Sequence, residues 1–403
     1  LSHIREFDPA CGSGNFLVVA YRCLRDREIR ILKRLGELEA NPQNVMFSSV
    51  SLNQFYGIEL TDFAAETAKL ALFIAEYQAN ARFADVFGRM PALLPLRDGG
   101  NIHCGNSLRL DWDQVCPPPL EGEEVYIAGN PPFLGKAKQD KNQKADRDFV
   151  FTGKIKTFKA LDFVAGWTFK AGNYIRGRRA KAALVSTNSL CQGASVPLLW
   201  PTVLGDDIEI FFAHRSFKWR NSAAKNAAVI CAITGLQNVS TAPKRLFDGE
   251  LETSVPHINA YLIGHEDVWI KGKGKSSWGL PHMAFGCMPY DAGELILSPE
   301  ERATFVSSHP RSEKFLRRLM GSQEVVKGVE RHCLWISDLE LVEALQIPPV
   351  ADRIERTRIA RLKMKDKAGK ALAERPHQFR EHIAPTHHAI LIPSVTSERR
   401  PYL

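Results

Sequence analysis

The chain has 403 residues, of which 44% are hydrophobic and 24% are charged. This length exceeds one small domain and predicts either two domains or one large domain with additions, in the soluble globular class. No apolar run approaches the roughly 20 residues that cross a bilayer, and the first residues show no signal peptide, so a membrane-spanning or secreted protein is not expected.

Charge is distributed unevenly about a formal net charge of +8. Residues 1–134 hold 12 Lys and Arg against 17 Asp and Glu, whereas residues 135–403 hold 41 against 28. This asymmetry favours a small-molecule site joined to a surface that binds a polyanion, although ordinary surface lysines would give a similar count. The eight cysteines form no Cys-x-x-Cys pair, which predicts reduced thiols in a cytoplasmic protein and no metal site.

Apolar strand patterns alternate with helical patterns over the first 235 residues. The predicted helices cover residues 16–38, 62–81 and 160–174. The predicted strands cover residues 6–8, 55–60, 101–104, 125–128, 182–187, 208–213 and 227–234. Such alternation predicts a doubly wound α/β fold with a mostly parallel sheet.

The pattern changes after residue 235, where strands become short and Gly and Pro become frequent. Helical patterns resume at residues 312–320, 339–345 and 353–373. We therefore predict an α/β domain over residues 1–235, followed by a mixed α+β region over residues 236–403.

A carboxylate at the end of the first predicted strand is followed by a glycine turn, in the string Asp8-Pro9-Ala10-Cys11-Gly12-Ser13-Gly14-Asn15-Phe16. Parallel sheets bind ligands at the carboxyl ends of strands, where glycine permits close backbone approach and the helix start offers free N–H groups. The full string resembles the first motif of S-adenosylmethionine-dependent amino methyltransferases of nucleic acid. That resemblance assigns cofactor binding to Asp8, Ala10, Cys11, Gly12, Gly14 and Phe16.

Polar residues also follow the next two predicted strands. Glu59, with Leu60 after it, closes the second strand, where a carboxylate can accept hydrogen bonds from both hydroxyls of a ribose. Asn106 and Ser107 follow the third strand, where the Asn106 oxygen can accept a hydrogen bond from the amino group of the cofactor's adenine. The alternatives are a solvated surface carboxylate for Glu59 and an Asn106 side chain that satisfies its own turn.

The fourth predicted strand ends at Gly129 and leads into Asn130-Pro131-Pro132-Phe133. The amino nitrogen of adenine is a weak nucleophile because its lone pair is delocalised into the ring. The Asn130 side-chain oxygen and the Pro131 carbonyl can accept hydrogen bonds from that amino group, and the prolines stiffen the loop and remove donors. Phe133 offers a flat face on which an extruded base can stack. The tetrapeptide therefore predicts a catalytic loop acting on an exocyclic amino group.

Aromatic and basic residues alternate in Phe217-Lys218-Trp219-Arg220-Asn221, before the last predicted strand. This pattern suits contact with an extruded base and predicts that Phe217 or Trp219 lines the base pocket. Packing of one aromatic ring in the core would produce the same pattern.

Two further segments are rich in lysine and arginine. Residues 135–159 hold eight Lys and Arg against three Asp and Glu, and residues 353–370 hold eight against two. The first segment follows the catalytic loop directly, so we expect DNA-backbone contacts from Lys136, Lys138 and Lys141, together with Lys218. The second segment suits either phosphate binding or a solvated helix face.

The order of the motifs is that of gamma-class adenine-specific DNA methyltransferases, and the chain resembles the MmeI-like enzymes of type IIL and IIG restriction–modification systems. The strings that carry this resemblance are Gly129-Asn130-Pro131-Pro132-Phe133-Leu134-Gly135, Leu184-Val185-Ser186-Thr187-Asn188-Ser189, Ala213-His214-Arg215-Ser216-Phe217-Lys218-Trp219, Ala227-Ala228-Val229, His257-Ile258-Asn259-Ala260-Tyr261-Leu262, Phe285-Gly286-Cys287-Met288-Pro289 and Arg331-His332-Cys333-Leu334-Trp335. The resemblance spans essentially the whole chain.

The resemblance implies a Rossmann-like class I methyltransferase domain over residues 1–235, whose seven-stranded sheet ends in an antiparallel hairpin. It implies a linker and part of a target-recognition domain over residues 236–403. The expected activity is methyl transfer from S-adenosylmethionine to a flipped adenine in a specific sequence of double-stranded DNA, in the cytoplasm of a bacterium or archaeon. A further cofactor motif before Asp8 and a nuclease domain in the same full-length chain are also expected.

Two other functions stay open on the residues. One is methylation of an RNA base or of a protein glutamine, which uses similar tetrapeptides; the basic second half argues against a protein substrate. The other is a non-catalytic DNA specificity subunit, against which the intact cofactor string and catalytic loop argue.

Overall fold

A computed structural model describes residues 1–38, 48–88, 90, 99–219, 229–272, 279, 283–385 and 388–393. The chain divides into two compact units, Leu1–Gly272 and Lys273–Leu403. Within these ranges no helix is long and apolar enough to cross a membrane. Each unit contains its own cluster of buried apolar side chains.

The first unit is built on one nine-stranded sheet. Its strands are β1 (Ile4–Asp8), β2 (Phe55–Glu59), β3 (Asn101–Cys104), β4 (Glu124–Gly129), β5 (Ala180–Thr187), β6 (Ile208–Lys218), β7 (Ile230–Asn238), β8 (Lys244–Asp248) and β9 (Leu251–Val255). Its α-helices are α1 (Asn15–Leu38), α2 (Asp62–Phe87), α3 (Trp112–Val115), α4 (Lys141–Phe151), α5 (Ala165–Ile175) and α6 (Ser195–Leu204). Short 3-10 helices cover Leu52–Gln54, Phe158–Ala160 and Asn188–Cys191.

The strand order is β3-β2-β1-β4-β5-β7-β6-β8-β9. Strands β1 to β5 pair in parallel, and β7 runs antiparallel to both β5 and β6. The predicted Rossmann-like fold with an antiparallel hairpin is therefore confirmed. Strands β8 and β9 add to the predicted seven because β8 pairs in parallel with β6. The division between the units thus falls after Gly272, later than the predicted boundary at residue 235.

Apolar side chains cover both faces of the parallel strands, as a doubly wound sheet requires. Phe55 and Ile58, three residues apart on β2, point to opposite faces and belong to different apolar clusters. Helix α2 packs with the cluster of Phe55 through small residues at helical spacing. The buried residues of α2 are Ala65, Ala68, Leu72, Ala75, Ala79, Asn80 and Phe83. This narrow face lets α2 approach α1 and the turn before it.

The second unit contains a three-stranded antiparallel sheet in the order β10-β12-β11. Its strands are β10 (Ile296–Leu297), β11 (Leu316–Leu319) and β12 (Arg331–Leu334), and its α-helices are α7 (Pro299–Ser308), α8 (Ser322–Lys327), α9 (Leu341–Ala344), α10 (Pro348–Leu362) and α11 (Lys367–Ala371). 3-10 helices cover Pro310–Phe315 and Leu372–Glu374. The mixed α+β prediction for this region is confirmed.

Two helix predictions in this unit differ from the structure. The helix predicted at residues 312–320 is wrong, because this segment forms a 3-10 turn and then β11, whose register places Arg317 opposite Cys333 of β12. The helix predicted at residues 353–373 is interrupted, because α10 ends at Leu362 and a new helix begins at Lys367 after its N-cap Asp366.

Candidate active site

The chain order of the strands reverses between β1 and β4, which lie side by side with Phe7 opposite Ile127. Ligands of doubly wound sheets bind at such a reversal, beyond the carboxyl ends of the strands. Asp8 ends β1 and Gly129 ends β4. A Cβ atom on Gly129 would lie 2.5 Å from Asp8 Oδ1. Glycine at position 129 therefore lets the Asp8 carboxylate lie against the strand that leads into the catalytic loop.

The Asp8 carboxylate is 1% exposed, and its Oδ1 accepts a hydrogen bond of 3.0 Å from the backbone N–H of Ala10. Burial raises the pKa of Asp8 to about 7, against the opposing effect of the Ala10 N–H and with a smaller contribution from the Glu59 charge. Burial, together with the Asp8 charge, also holds the pKa of Glu6 well above its usual range. Two acidic groups with raised pKa values thus lie on β1, directly before the glycine turn.

The glycine turn between β1 and α1 has a backbone that only glycine adopts readily. Gly12 and Gly14 have φ angles of 53° and 83°, and Gly14 N–H donates to the Cys11 carbonyl at 2.8 Å. A Cβ on Gly14 would lie 3.1 Å from Ala68 Cβ, so the turn packs directly on α2. A Cβ on Gly12 would meet no atom of the described residues within 4 Å. The turn therefore leaves open space beside Gly12, while Cys11 is buried and Phe16 is partly buried on α1.

The structure brings Glu59 to this turn. Glu59 Oε2 accepts a hydrogen bond of 3.0 Å from Gly12 N–H, and Oε1 accepts one of 3.2 Å from Thr61 N–H. The two predicted cofactor residues are therefore in contact, although Leu60 after them is 67% exposed. The solvated-carboxylate alternative does not describe Glu59, which is only partly exposed.

Asn106 is held by two protein hydrogen bonds. Its Oδ1 accepts from Leu108 N–H at 3.0 Å, as the local-turn alternative predicts, and its Nδ2 donates to Asp146 Oδ2 at 2.8 Å. A carbonyl oxygen has two lone pairs, so Oδ1 can accept a second hydrogen bond. The neighbouring Ser107 is 6% exposed, and its hydroxyl has no hydrogen-bond partner within the described ranges.

The catalytic loop begins with a buried acceptor. Asn130 Oδ1 is shielded from solvent and has no hydrogen-bond partner among the residues that the structure describes. Pro131 after it is buried, Pro132 is exposed, and Phe133 packs partly buried against the main apolar cluster of the first unit. Buried polar atoms without partners are rare in native proteins, so each asks for an explanation such as a ligand. An amide oxygen in this position fits an N–H donor from a bound molecule.

Residues that the sequence patterns did not single out hold the end of this loop. Asp162 Oδ1 accepts from Leu134 N–H at 2.9 Å. The Leu134 carbonyl accepts from Gln139 Nε2 at 2.9 Å and from Phe163 N–H at 3.0 Å. Asp162 and Gln139 are 9% and 3% exposed. The one signal in the sequence for the role of these two residues is that they are polar within segments that are otherwise apolar or exposed.

The predicted base-pocket aromatics lie at the same edge of the sheet. Thr187 at the end of β5 and Phe217 near the end of β6 both pair with Cys231 of β7, next to a β-bulge between His214 and Phe217. The rings of Phe217 and Trp219 are 6.3 Å apart and both residues are partly buried. Arg220, Asn221, Ala227 and Ala228 of the quoted strings lie outside the described residues.

The lysines predicted to contact DNA are all on the surface. Lys136 and Lys138 follow the catalytic loop, Lys141 begins α4, and Lys218 ends β6; all four are exposed. By contrast, several arginines of the second basic segment have protein partners. Arg361 is fully buried, and Arg353, Arg356 and Arg358 form ion pairs with acidic neighbours. These contacts favour a structural role for the first half of residues 353–370.

Comparisons with known proteins agree with the fold of the first unit and with the order of the two units. The sequence matches the family described as "MmeI, DNA-methyltransferase domain" over residues 1–248 and that described as "MmeI, target recognition domain" over residues 264–403. It is 40% identical over 405 residues to DNA methyltransferase A of Bacillus subtilis (strain 168), an alignment that covers 100% of this chain and 46% of that protein.

A solved structure is also similar over nearly the whole chain. The type IIL restriction–modification enzyme MmeI in complex with DNA superposes with a TM-score of 0.84 at 37% identity, covering 96% of this chain and 52% of that chain. The chain thus spans about half the length of both relatives. It belongs to the MmeI family, and contains that family's DNA-methyltransferase domain followed by its target recognition domain.

Proposed function

We propose that this protein transfers a methyl group from S-adenosylmethionine to the exocyclic amino group of an adenine extruded from double-stranded DNA. The observation that carries the proposal is the buried Oδ1 of Asn130, which has no hydrogen-bond partner among the described residues. It lies at the reversal of strand order, two residues before the exposed Pro132 and three before Phe133. An acceptor in this place suits an amino group, which offers hydrogen-bond donors.

The residues present fit an adenosyl cofactor. The turn at Gly12 leaves space for a ligand beside backbone N–H groups at the start of α1. Glu59, which already contacts that turn, can accept hydrogen bonds from ribose hydroxyls. The buried Ser107 hydroxyl has no hydrogen-bond partner in the described part of the chain, and Asn106 Oδ1 has a second lone pair. Both groups are suited to the polar edge of an adenine base. Asp8, Ala10, Cys11, Gly14, Phe16 and Leu60 complete the set that we assign to cofactor binding.

Bound S-adenosylmethionine supplies an electrophilic methyl group with a neutral thioether as its leaving group. Asn130 Oδ1 and the Pro131 carbonyl accept hydrogen bonds from the two hydrogens of the adenine amino group, which orients the nitrogen lone pair toward that methyl group. With the cofactor bound, the nitrogen so oriented would form a bond to the methyl carbon in place of the sulfur–methyl bond and would then release one proton to solvent. No basic side chain has to remove the proton first, because the leaving group is uncharged.

Phe133, with Phe217 or Trp219, provides aromatic faces against which the extruded base can stack, an interaction of about 1–3 kcal/mol per base. Lys136, Lys138, Lys141 and Lys218 lie exposed near the same edge and are suited to phosphates that flank the base. The DNA complex of the MmeI relative supports a DNA substrate over an RNA or protein substrate.

The MmeI relative, a restriction–modification enzyme, supports a role in modification within such a system, in the cytoplasm, where free thiols persist. A nuclease domain in the same longer chain is the partner that we assign to this role.

Transfer of a radiolabelled methyl group tests the proposal. The protein and labelled S-adenosylmethionine are incubated in three separate reactions, with unmethylated genomic DNA, with total RNA and with cell protein. Labelled nucleosides are then identified by mass spectrometry. We expect label in DNA as N6-methyladenine. Label confined to RNA or protein, or found in DNA as a methylated cytosine, would contradict the proposal.

A further inference from the structure

Helix α4 presents two adjacent buried charges to two different loops. Asp146 and Arg147 are 7% and 5% exposed, although α4 has exposed residues on either side of them in sequence, such as Lys144 and Phe149. The helix begins at a capping box in which Asp140 Oδ1 accepts from Gln143 N–H, and Gln143 Oε1 accepts from Asp140 N–H. Its start, eight residues after Phe133, is therefore well defined, and so is the position of the buried pair.

Asp146 contacts the loop after β3. Its Oδ2 accepts from Asn106 Nδ2 at 2.8 Å, and its Oδ1 accepts from Arg109 Nε at 2.6 Å. A carboxylate can only accept hydrogen bonds from these groups, so it fixes which end of the Asn106 amide faces α4. Asp146 thus holds the amide nitrogen while Leu108 N–H donates to Oδ1 at 3.0 Å, so two bonds together fix the amide, and its oxygen keeps a second lone pair.

Arg147 contacts the catalytic loop through one intermediate side chain. Its Nη1 donates to Gln139 Oε1 at 3.0 Å and to the Lys159 carbonyl at 3.3 Å. Gln139 Nε2 in turn donates to the carbonyls of Leu134 and Leu161, at 2.9 Å and 3.2 Å. Leu134 directly follows Phe133, so this chain of bonds holds the end of the catalytic loop.

We infer that Asp146 and Arg147 are positioning residues, by which α4 holds the cofactor loop and the catalytic loop in one geometry. Asp146, together with Leu108 N–H, holds Asn106 as a hydrogen-bond acceptor toward the cofactor base, which selects a 6-amino purine over a 6-oxo purine. Arg147, through Gln139, sets the position of Phe133 and the loop before it. The inference rests on the proposed function, and it adds a determinant of cofactor specificity and a support of the catalytic loop.

Equilibrium binding tests the Asp146 half. Calorimetry measures the dissociation constants of S-adenosylhomocysteine and S-inosylhomocysteine, which differ in the 6-amino or 6-oxo group. We expect the unsubstituted protein to prefer the adenosyl ligand, and Asp146→Asn to reduce that preference about fivefold because one of the two hydrogen bonds that fix the Asn106 amide is then weakened. Asn142→Ala, at an exposed site on the same helix, should leave the preference unchanged. An unchanged ratio in Asp146→Asn, with a matching melting temperature, would overturn this half.

Steady-state kinetics tests the Arg147 half. Arg147→Met should lower kcat about tenfold while the dissociation constant of S-adenosylhomocysteine changes less than about twofold, because misplacing a reacting group affects the chemical step more than ligand affinity. Gln139→Met should reproduce this result, and the double variant should be no slower than either single variant, because both act through one chain of bonds. Equal factors in kcat and affinity, or multiplicative losses in the double variant, would overturn it.

Failure of the proposed function can be distinguished from failure of the role inferred for Asp146. An unsubstituted protein that binds the adenosyl ligand but methylates no DNA would contradict the function and, with it, the Arg147 half. The discrimination between the two ligands would still decide the Asp146 half.

Discussion

The two units fix their loops by different means. In the first unit, the loops of the candidate site begin at the ends of paired strands. The backbone hydrogen bonds between strands therefore determine the positions of Asp8, Glu59 and Asn130. In the second unit, two segments converge on the fully buried guanidinium of Arg361. It donates hydrogen bonds to the carbonyls of Pro289, Tyr290, Leu372, Arg375 and Gln378.

This difference separates two kinds of vulnerability. The carboxyl ends of paired strands keep their geometry when one side chain changes, so substitutions at the candidate site should affect the reaction rate or the pH dependence of stability. A group of loops that converge on one arginine depends on that arginine, so its loss should unfold the second unit selectively.

The largest effect is expected at the catalytic loop. Asn130→Ala should lower the rate of methyl transfer by at least about 10³-fold, because it removes an acceptor aimed at the reacting nitrogen. Affinity for S-adenosylhomocysteine, measured by calorimetry, should change little. The matched substitution Asn142→Ala on α4 should leave both quantities unchanged. Simultaneous loss of affinity and melting temperature in Asn130→Ala would show instead that this loop supports the fold.

In the first unit, we expect the protonation of Asp8 to make stability depend on pH. Its folded-state pKa is about 7 and its usual value is 3.8, so the folded protein retains the proton longer than the unfolded chain does. The stability that Asp8 contributes is therefore present below about pH 4 and is lost as pH rises to about 7, by at most about 4 kcal/mol. Asp8→Asn cannot ionise, so its stability relative to the unsubstituted protein should increase over this interval.

Calorimetric scans from pH 4 to pH 8, without cofactor, measure this difference. The exposed Asp85→Asn on α2 is the control and should show no such trend. A constant difference between Asp8→Asn and the unsubstituted protein would show that Asp8 is ionised throughout the range.

In the second unit, Arg361→Met should reduce the free energy of unfolding by about 3 kcal/mol, because several buried carbonyls lose their donor. The thermal transition of the first unit should not move. Calorimetry should therefore resolve two transitions, of which only that of the second unit shifts. Arg358→Met, on the same helix but exposed and paired with Glu355, is the control and should leave both transitions in place. A joint shift of both would mean that the units unfold together.

The smallest effect is expected from surface charge. Replacing Lys136 and Lys138 together by Gln should weaken DNA binding about tenfold at moderate salt and reduce the slope of log affinity against log salt by about 1.8. Lys33→Gln, exposed on α1 away from the strand ends, should change neither quantity. An unchanged slope would place the bound phosphates elsewhere.

Local patterns predicted the parts of the fold that depend on local physics. Buried parallel strands are short apolar runs, and the polar residues after them mark the strand ends where ligands bind. Asp8, Glu59 and Asn130 were predicted on that basis, and the structure brings Glu59 to the turn that follows Asp8. Their roles in binding stay predictions.

Patterns failed where distant contacts decide. Leu316 and Leu319 have helical spacing, yet pairing with β12 makes their segment a strand, because tertiary contacts override a weak local preference. Asp162 supports the catalytic loop from 28 residues away, and Asp146 reaches Asn106 across 40 residues. No spacing rule connects such positions, because the hydrogen-bond partner of a buried carboxylate can be identified only in the folded chain.

The contact between Gly129 and Asp8 makes two distant motifs interdependent. A side chain at position 129 would overlap the carboxylate of the first motif, so neither position can change size or charge independently of the other. Exchange of catalytic loops between relatives should therefore succeed only when the residue before the tetrapeptide and the acid at the end of β1 are exchanged as a pair. For protein engineering, the transferable unit is this pair of strand ends and not the tetrapeptide alone.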